Sequence, residues 1–406
     1  MTRFHVVVCD DDPERVGQWA EKIRAVVPEY EVLALPVDDF AAGVRALRER
    51  SRLAKDGEPF PADAATAAFD NAEVVVLDSN LTPDLTSRYT NPDVVRETLS
   101  SEMGGELAHL IRAHTTAGAI VVVNEGSPHR TFDLTMVRRV TGVADAYVSV
   151  EDLSAPGLWR AEVPSDTEFR PWSWPQLTLL ARSFAERVSA TDLDGGLEAA
   201  LGLSTRTLTE FGRMRQLETL PQEDEGTGEA IAPEDLTFRQ LASREPWGLR
   251  AKEMASDEFL LRVAVSAARR WTERVLLPTM NVLVDAPHLL QARPWLVPNR
   301  EDLAVWNGLV VAGMQSDSPP ELEAAAYNRV ASRLLGRQVW DVPRLSALLP
   351  GNRIESSDPV FCEDTSTFRR VDDARDVMTD LEGAYPRRYV ADLAGVRYQP
   401  RSRLAL

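Results

Sequence analysis

Residues 1–152 predict a doubly wound α/β unit, a five-stranded parallel sheet of order 2-1-3-4-5 with helices on both faces. Residues 153–406 predict a mostly α-helical region. Three observations carry this. Short runs such as FHVVVC, EVVVL and AIVVV are apolar throughout rather than alternating, as strands buried on both faces are. Segments with helical spacing separate them. After about residue 153 strand-like runs nearly vanish.

The elements follow in order. Residues 4–9 form the first strand. Residues 13–27 form a helix through Val16, Trp19, Ala20, Ile23 and Val27, with Asp12 as N-cap and Pro13 as first helical residue. Residues 30–35 are a short strand, and 38–53 a helix with Phe40, Val44 and Leu47 on one face. Residues 56–68, rich in Pro, Ala and Asp, read as a loop. Residues 73–77 are the third strand, 82–101 a long insertion with one short helix, and 102–114 a helix. Residues 119–123 are the fourth strand, 131–140 a helix and 146–150 the fifth strand. Beyond them, helices are expected over 171–188, 205–217, 257–277, 302–311, 320–335, 342–349 and 371–381, with an acidic loop over 221–233.

Charge narrows the function. The chain has 406 residues and a formal net charge of −18, and the acid excess is spread over both halves. Nucleic-acid binding, which needs a basic footprint, is therefore disfavoured. No run approaches the length of a membrane span and the start reaches acids too soon for a secretory signal, so a soluble, cytoplasmic protein is expected. The two cysteines, Cys9 and Cys362, make neither a disulfide framework nor a thiolate zinc site. Lysine is scarce, occurring only as Lys22, Lys55 and Lys252.

The chemistry lies at strand ends. Asp10, Asp11 and Asp12 follow the first strand and Asp78 follows the third. In a 2-1-3-4-5 sheet strands 1 and 3 are neighbours and ligands bind beyond their carboxyl ends, so Asp10, Asp11 and Asp78 converge. Three converging carboxylates call for a cation, and oxygen-only ligands favour Mg²⁺. Asp78, alone at its strand end, is the natural nucleophile for an aspartyl-phosphate. There is no P-loop, GxGxxG, GxSxG or HExxH motif.

VVVCDDDPER followed by VVVLDSNL resembles the receiver domain of two-component response regulators, over roughly residues 1–152; GGELAHLIRA and ADAYVSV are similar to its third helix and fifth strand. The resemblance implies a flavodoxin-like fold, Asp10 and Asp11 as the acidic metal pair, Asp78 as phosphoacceptor and metal ligand, and the backbone carbonyl of Asn80 as a further ligand to Mg²⁺. NEGSPHRTFDLTM, the insertion, GLW and FRPWSWP together resemble an atypical receiver family of bacterial anti-phage conflict systems. That implies a histidine kinase or histidine-kinase-like ATPase as phosphoryl donor, a downstream effector, and a signalling protein rather than a turnover enzyme.

The chain departs from receivers at two positions. Asn124 stands where they carry Thr or Ser, and its amide could contact a phosphoryl oxygen in place of a hydroxyl. Val150 stands where they carry the phosphoryl-binding Lys. These departures keep open a pseudo-receiver that takes no phosphate. Asp10-x-Asp12 also resembles the haloacid-dehalogenase phosphatases, and 204–217 with 236–255 could hold a helix-turn-helix.

Overall fold

The computed structural model describes residues 5–56, 64–83, 89–100, 104–124, 131–132, 144–160, 167–170, 177–196, 237–239, 257–272, 277, 280, 283–315, 320–328, 331–334, 337–342, 345, 359–377 and 387–398. The first unit runs β1 (His5–Cys9), α1 (Pro13–Val26), β2 (Glu31–Ala34), α2 (Val37–Lys55), α3 (Ala67–Asp70), β3 (Val74–Asp78), α4 (Pro92–Leu99), α5 (Gly104–His114), β4 (Ala119–Val123), β5 (Thr131–Phe132) and β6 (Ala146–Val148). Five of these strands form one all-parallel sheet of order β2-β1-β3-β4-β6. The expected five-strand order is thus present, with Ala146–Val148 as its fifth strand.

The unbroken apolar runs are explained by two hydrophobic layers. Val7, Cys9, Val75, Leu77, Ile120 and Val122 face α2, α4 and α5. Val6, Val8, Val74, Val76, Val121 and Val123 face α1 on the other side. Alternate residues of one strand point to opposite faces, so covering both faces requires every position to be apolar.

The second layer does not stop at 152. Leu153, Leu158, Trp159 and then Leu177, Leu180 and Ala181 complete it beside α1. The helix Leu177–Ala190 therefore covers the sheet, and Asp257–Trp271 packs on it and on α5. Trp159, from GLW, is fully buried and its indole N–H donates to the Leu153 carbonyl at 2.9 Å.

The helical expectation holds for Leu177–Ala190, Asp257–Trp271 and Leu303–Gln315, most of 342–349 lies outside the described residues, and short strands stand at several other places. β7 (Leu283–Asp285), β8 (Ala331–Leu334) and β9 (Arg337–Asp341) form an antiparallel sheet of order β7-β9-β8. The helix expected over 320–335 is thereby corrected to a short helix, Ala325–Asn328, followed by β8. β10 (Val360–Cys362), β11 (Thr367–Arg369), β12 (Arg375–Val377) and β13 (Arg388–Val390) form a second sheet of order β11-β10-β13-β12. β12 replaces part of the helix expected over 371–381. Trp306, Trp340, Phe361 and Phe368 tie both sheets to Leu303–Gln315.

The helix expected over 131–140 is also corrected at its start. Thr131–Phe132 is a strand, paired in parallel with β14 (Arg397–Tyr398) near the far end of the chain. Phe132 packs with Val377 and Val390. The expected helix 205–217, the acidic loop 221–233, nearly all of the helix-turn-helix candidate and Trp172 and Trp174 lie outside the described residues.

Candidate cation site at the carboxyl ends of the parallel strands

β1 pairs with β3 from Val6 opposite Val74 to Cys9 opposite Leu77, so Asp10 and Asp78 leave the sheet side by side. Carboxylate oxygens of Asp10, Asp11 and Asp78 lie within 4.8 Å of one another. All three residues are buried. The turn into α1 sets Asp10: the Asp12 N–H donates to Asp10 Oδ1 at 2.8 Å, folding the carboxylate back over the strand end. Asp12 caps α1, its side chain accepting from the N–H groups of Glu14 and Arg15, and Pro13 occupies the first turn. That expectation is met, and it commits Asp12 to the helix.

Asp78 is held from the other side. The Asn80 and Ser79 backbone groups favour its ionised form. The Ser79 N–H donates to the Val123 carbonyl at 2.8 Å, and the Ser79 carbonyl accepts from Gly104 N–H at 3.0 Å. Gly104 opens α5 so close to Asp78 that a Cβ there would penetrate the Asp78 carbonyl oxygen. Gly104→Ala is therefore expected to lower stability by about 1–3 kcal/mol, read as a shift in urea midpoint; an unchanged midpoint would refute the close packing. The insertion reaches the site through Tyr89, whose hydroxyl donates to the Asp11 carbonyl at 2.8 Å.

Burial dominates the electrostatics. It pushes Asp10 up to about 9, against the opposing Asp12 N–H, with Asp11 and Asp78 adding to the rise. Burial likewise pushes Asp78 up to about 6, while Arg15 and the Asn80 and Ser79 N–H groups hold it back. Asp10 Oδ2 is buried with no hydrogen-bond partner. A buried carboxylate oxygen without a donor costs free energy unless a cation meets it.

A further residue, Arg15, joins the cluster without being marked by the strand-end pattern. Arg15 Nη2 lies 3.1 Å from both Asp10 Oδ1 and Asp11 Oδ1, its Nε 3.4 Å from Asp12 Oδ2 and its Nη1 3.6 Å from Asp78 Oδ2. The signal was present: Arg15 stands four residues after Asp11 and three after Asp12, the spacings that meet on a helix's first turn.

The other expected residues fall around this cluster. Asn80 is exposed just beyond Asp78. Asn124 is exposed at the end of β4, the strand beside β3, with its backbone N–H donating to the Val148 carbonyl at 2.9 Å. Val150 is partly buried against the α1-side hydrophobic layer and supplies no polar group. Gly126 lies outside the described residues. Elsewhere, Arg269 and Arg388 turn inward to the buried Asp145 and the partly buried Glu363. Cys362 is buried, and burial followed by Asp364 pushes its thiol up, so it is no reactive nucleophile.

Comparison of the chain with models of known protein families, with curated proteins and with solved structures returns no match. Among the described residues no helix is long and apolar enough to cross a membrane.

Proposed function

We propose that the chain is a receiver-like signalling protein that accepts a phosphoryl group on Asp78 from a histidine-kinase-like donor. The observation that carries this reading is the convergence of Asp10, Asp11 and Asp78 at the carboxyl edge of a 2-1-3-4-5 parallel sheet, with Asp10 Oδ2 unpartnered. The donor set fits Mg²⁺: three hard carboxylate oxygens in reach of one point, and a buried acceptor in need of a cation. Asp10, Asp11 and Asp78 would hold the ion, with the Asn80 carbonyl as the further ligand that receivers imply. Once bound, Mg²⁺ supplies charge neutralisation for an incoming phosphoryl group. The chain's own residues do the rest. The Asn80 and Ser79 backbone groups favour the ionised Asp78 carboxylate, and Asn124 offers an amide from the adjacent strand end.

The route from site to output runs through the segment after β4. It leaves the site at Asn124, pairs as Thr131–Phe132 with Arg397–Tyr398, and buries Phe132 against Val377 and Val390. The C-terminal sheet, which Phe132 joins, is the surface through which a downstream effector would be addressed.

Labelling tests the proposal. With acetyl phosphate and Mg²⁺ the wild-type chain is expected to take up one phosphoryl group, and Asp78→Asn none. Equal labelling of the two proteins would sink it. A pseudo-receiver is the second reading, favoured by the apolar Val150; an unlabelled wild type is its signature.

A further inference from the structure

We infer that Arg15 is the built-in counter-cation of the acidic cluster, that a divalent ion displaces it, and that the displaced guanidinium then serves the phosphoryl group on Asp78. The second half rests on the reading of Asp78 as phosphoacceptor. The first half does not.

The geometry assigns the counter-cation role. A guanidinium is a planar fork of five N–H donors, and this one spans Asp10, Asp11 and Asp78 at 3.1, 3.1 and 3.6 Å. The placement is not a helix-stabilising one. Arg15 sits in the first turn of α1, where the helix dipole disfavours positive charge. The acids are what hold it there.

The match is incomplete, which makes Arg15 displaceable. One guanidinium faces three acidic side chains, and Asp10 Oδ2 still has no partner. A divalent ion offers twice the charge and no fixed donor directions, so it meets the cluster better. Exposure sets the direction of exit. The side chains of Asp10, Asp11 and Asp78 are 0%, 1% and 4% exposed, that of Arg15 26%. The arginine closes the cluster from the solvent side and can swing outward with α1 unchanged.

Its destination follows from the shortage of lysine. Val150 packs into the apolar layer, and Lys22, Lys55 and Lys252 are remote in sequence from the strand ends. Arg15 already has Nη1 at 3.6 Å from Asp78 Oδ2, and its tether at α1 keeps it within reach. Guanidinium and phosphoryl oxygens pair bidentately, so Arg15 takes the task that receivers give to lysine. In the step it serves, an Asp78 carboxylate oxygen attacks the phosphorus of acetyl phosphate. The new O–P bond forms as the P–O bond to the acetyl group breaks. Acetate leaves with the bonding pair, and no proton need move.

Arg15→Gln in the full chain separates the two halves, because they predict opposite changes. Mg²⁺ affinity, measured by titration calorimetry, is expected to rise about tenfold once the competing charge-assisted contacts are gone. Labelling by acetyl phosphate at saturating Mg²⁺ is expected to slow about a hundredfold, the usual scale for losing one donor to developing charge. Arg15→Lys is expected to recover most of the labelling rate. Unchanged or weaker Mg²⁺ affinity in Arg15→Gln overturns the counter-cation role, and labelling at the wild-type rate overturns the phosphoryl role. A wild type that binds Mg²⁺ but takes no label overturns the Asp78 reading and the phosphoryl role together, and the calorimetry still decides the first half. Should Arg15→Gln misfold, the same titration on Arg15→Lys decides: its weaker planar match predicts tighter Mg²⁺ binding, and unchanged affinity counts against the role.

Discussion

Asp145→Ala is expected to cost about 3–5 kcal/mol, because it leaves buried arginines without their anion. Asp145 accepts from Arg112 at 2.5 Å, from Arg269, and from the Ile120 N–H at 2.6 Å. Arg112 and Arg269 are themselves buried. Burial depresses the Arg112 guanidinium, and Asp145 offsets only part of that fall. Arg262, also buried, donates to the Ala117 carbonyl, and burial followed by Arg112 brings it down to about 10. Arg112 and Arg262 both lie over the Phe184 ring, at 4.2 and 5.2 Å. One carboxylate thus joins α5, Asp257–Trp271 and the start of β6. Urea unfolding followed by tryptophan fluorescence reads the loss. Asp145→Asn keeps an acceptor for Ile120 but not the charge, and should fall between the two. A midpoint unchanged in Asp145→Ala would refute the account.

The second large effect is a pH dependence centred on His288. Its Nδ1 contacts Asp285 and its Nε2 lies 2.9 Å from Glu363 Oε1. Arg388 Nη1 is 2.5 Å from the same Glu363 oxygen, and Arg337 Nη1 is 3.4 Å from Asp285 Oδ2. The group links β7, β9, β10 and β13, the strands of the two C-terminal sheets. Burial and the crowding Arg388 work against protonation of His288, but Asp285 and Glu363 outweigh them and hold it above 6.5. Burial opposes ionisation of Glu363 as well, yet Arg388 and His288 bring it down to about 2.

The signs then follow by linkage. The histidine's stabilisation is full below its unfolded value of 6.5 and is lost as pH rises through its folded value. The glutamate's is full above 4.5 and is lost as pH falls through about 2. Thermal midpoints of the wild type should therefore be highest between these unfolded values and decline toward alkaline pH. His288→Gln should lower the maximum and flatten the alkaline decline. An alkaline decline as steep in His288→Gln as in the wild type would count against the network. Glu363→Gln, which removes an anionic partner of Arg388 and His288, is expected to cost about 3 kcal/mol at neutral pH.

The residues that could not be placed from sequence share a physical reason. β10, β12 and β13 have three residues each, too few for a period to show. Leu334 pairs with Arg337, so β8 and β9 adjoin within a stretch whose local pattern reads as helix up to residue 335. Asp145 and Arg269 are 124 positions apart, and His288 and Glu363 75. No local pattern encodes such pairs. Arg15 was legible as a neighbour of Asp11 and Asp12, but its approach to Asp78 was not, since that depends on β1 lying beside β3.

What the sequence alone determined is the first unit and its acidic corner. Apolar runs covered on both faces must be interior parallel strands, Asp12–Pro13 must start a helix, and acids placed just after the first and third strands must meet if those strands are neighbours. The tertiary structure decided the rest. It closed the sheet's second face with Leu177–Ala190, set two small sheets among the C-terminal helices, seated Arg15 among the carboxylates, and buried arginines against Asp145 and Glu363. Burial of charge is affordable only where distant segments bring the counter-charge, and that meeting is a property of the folded chain.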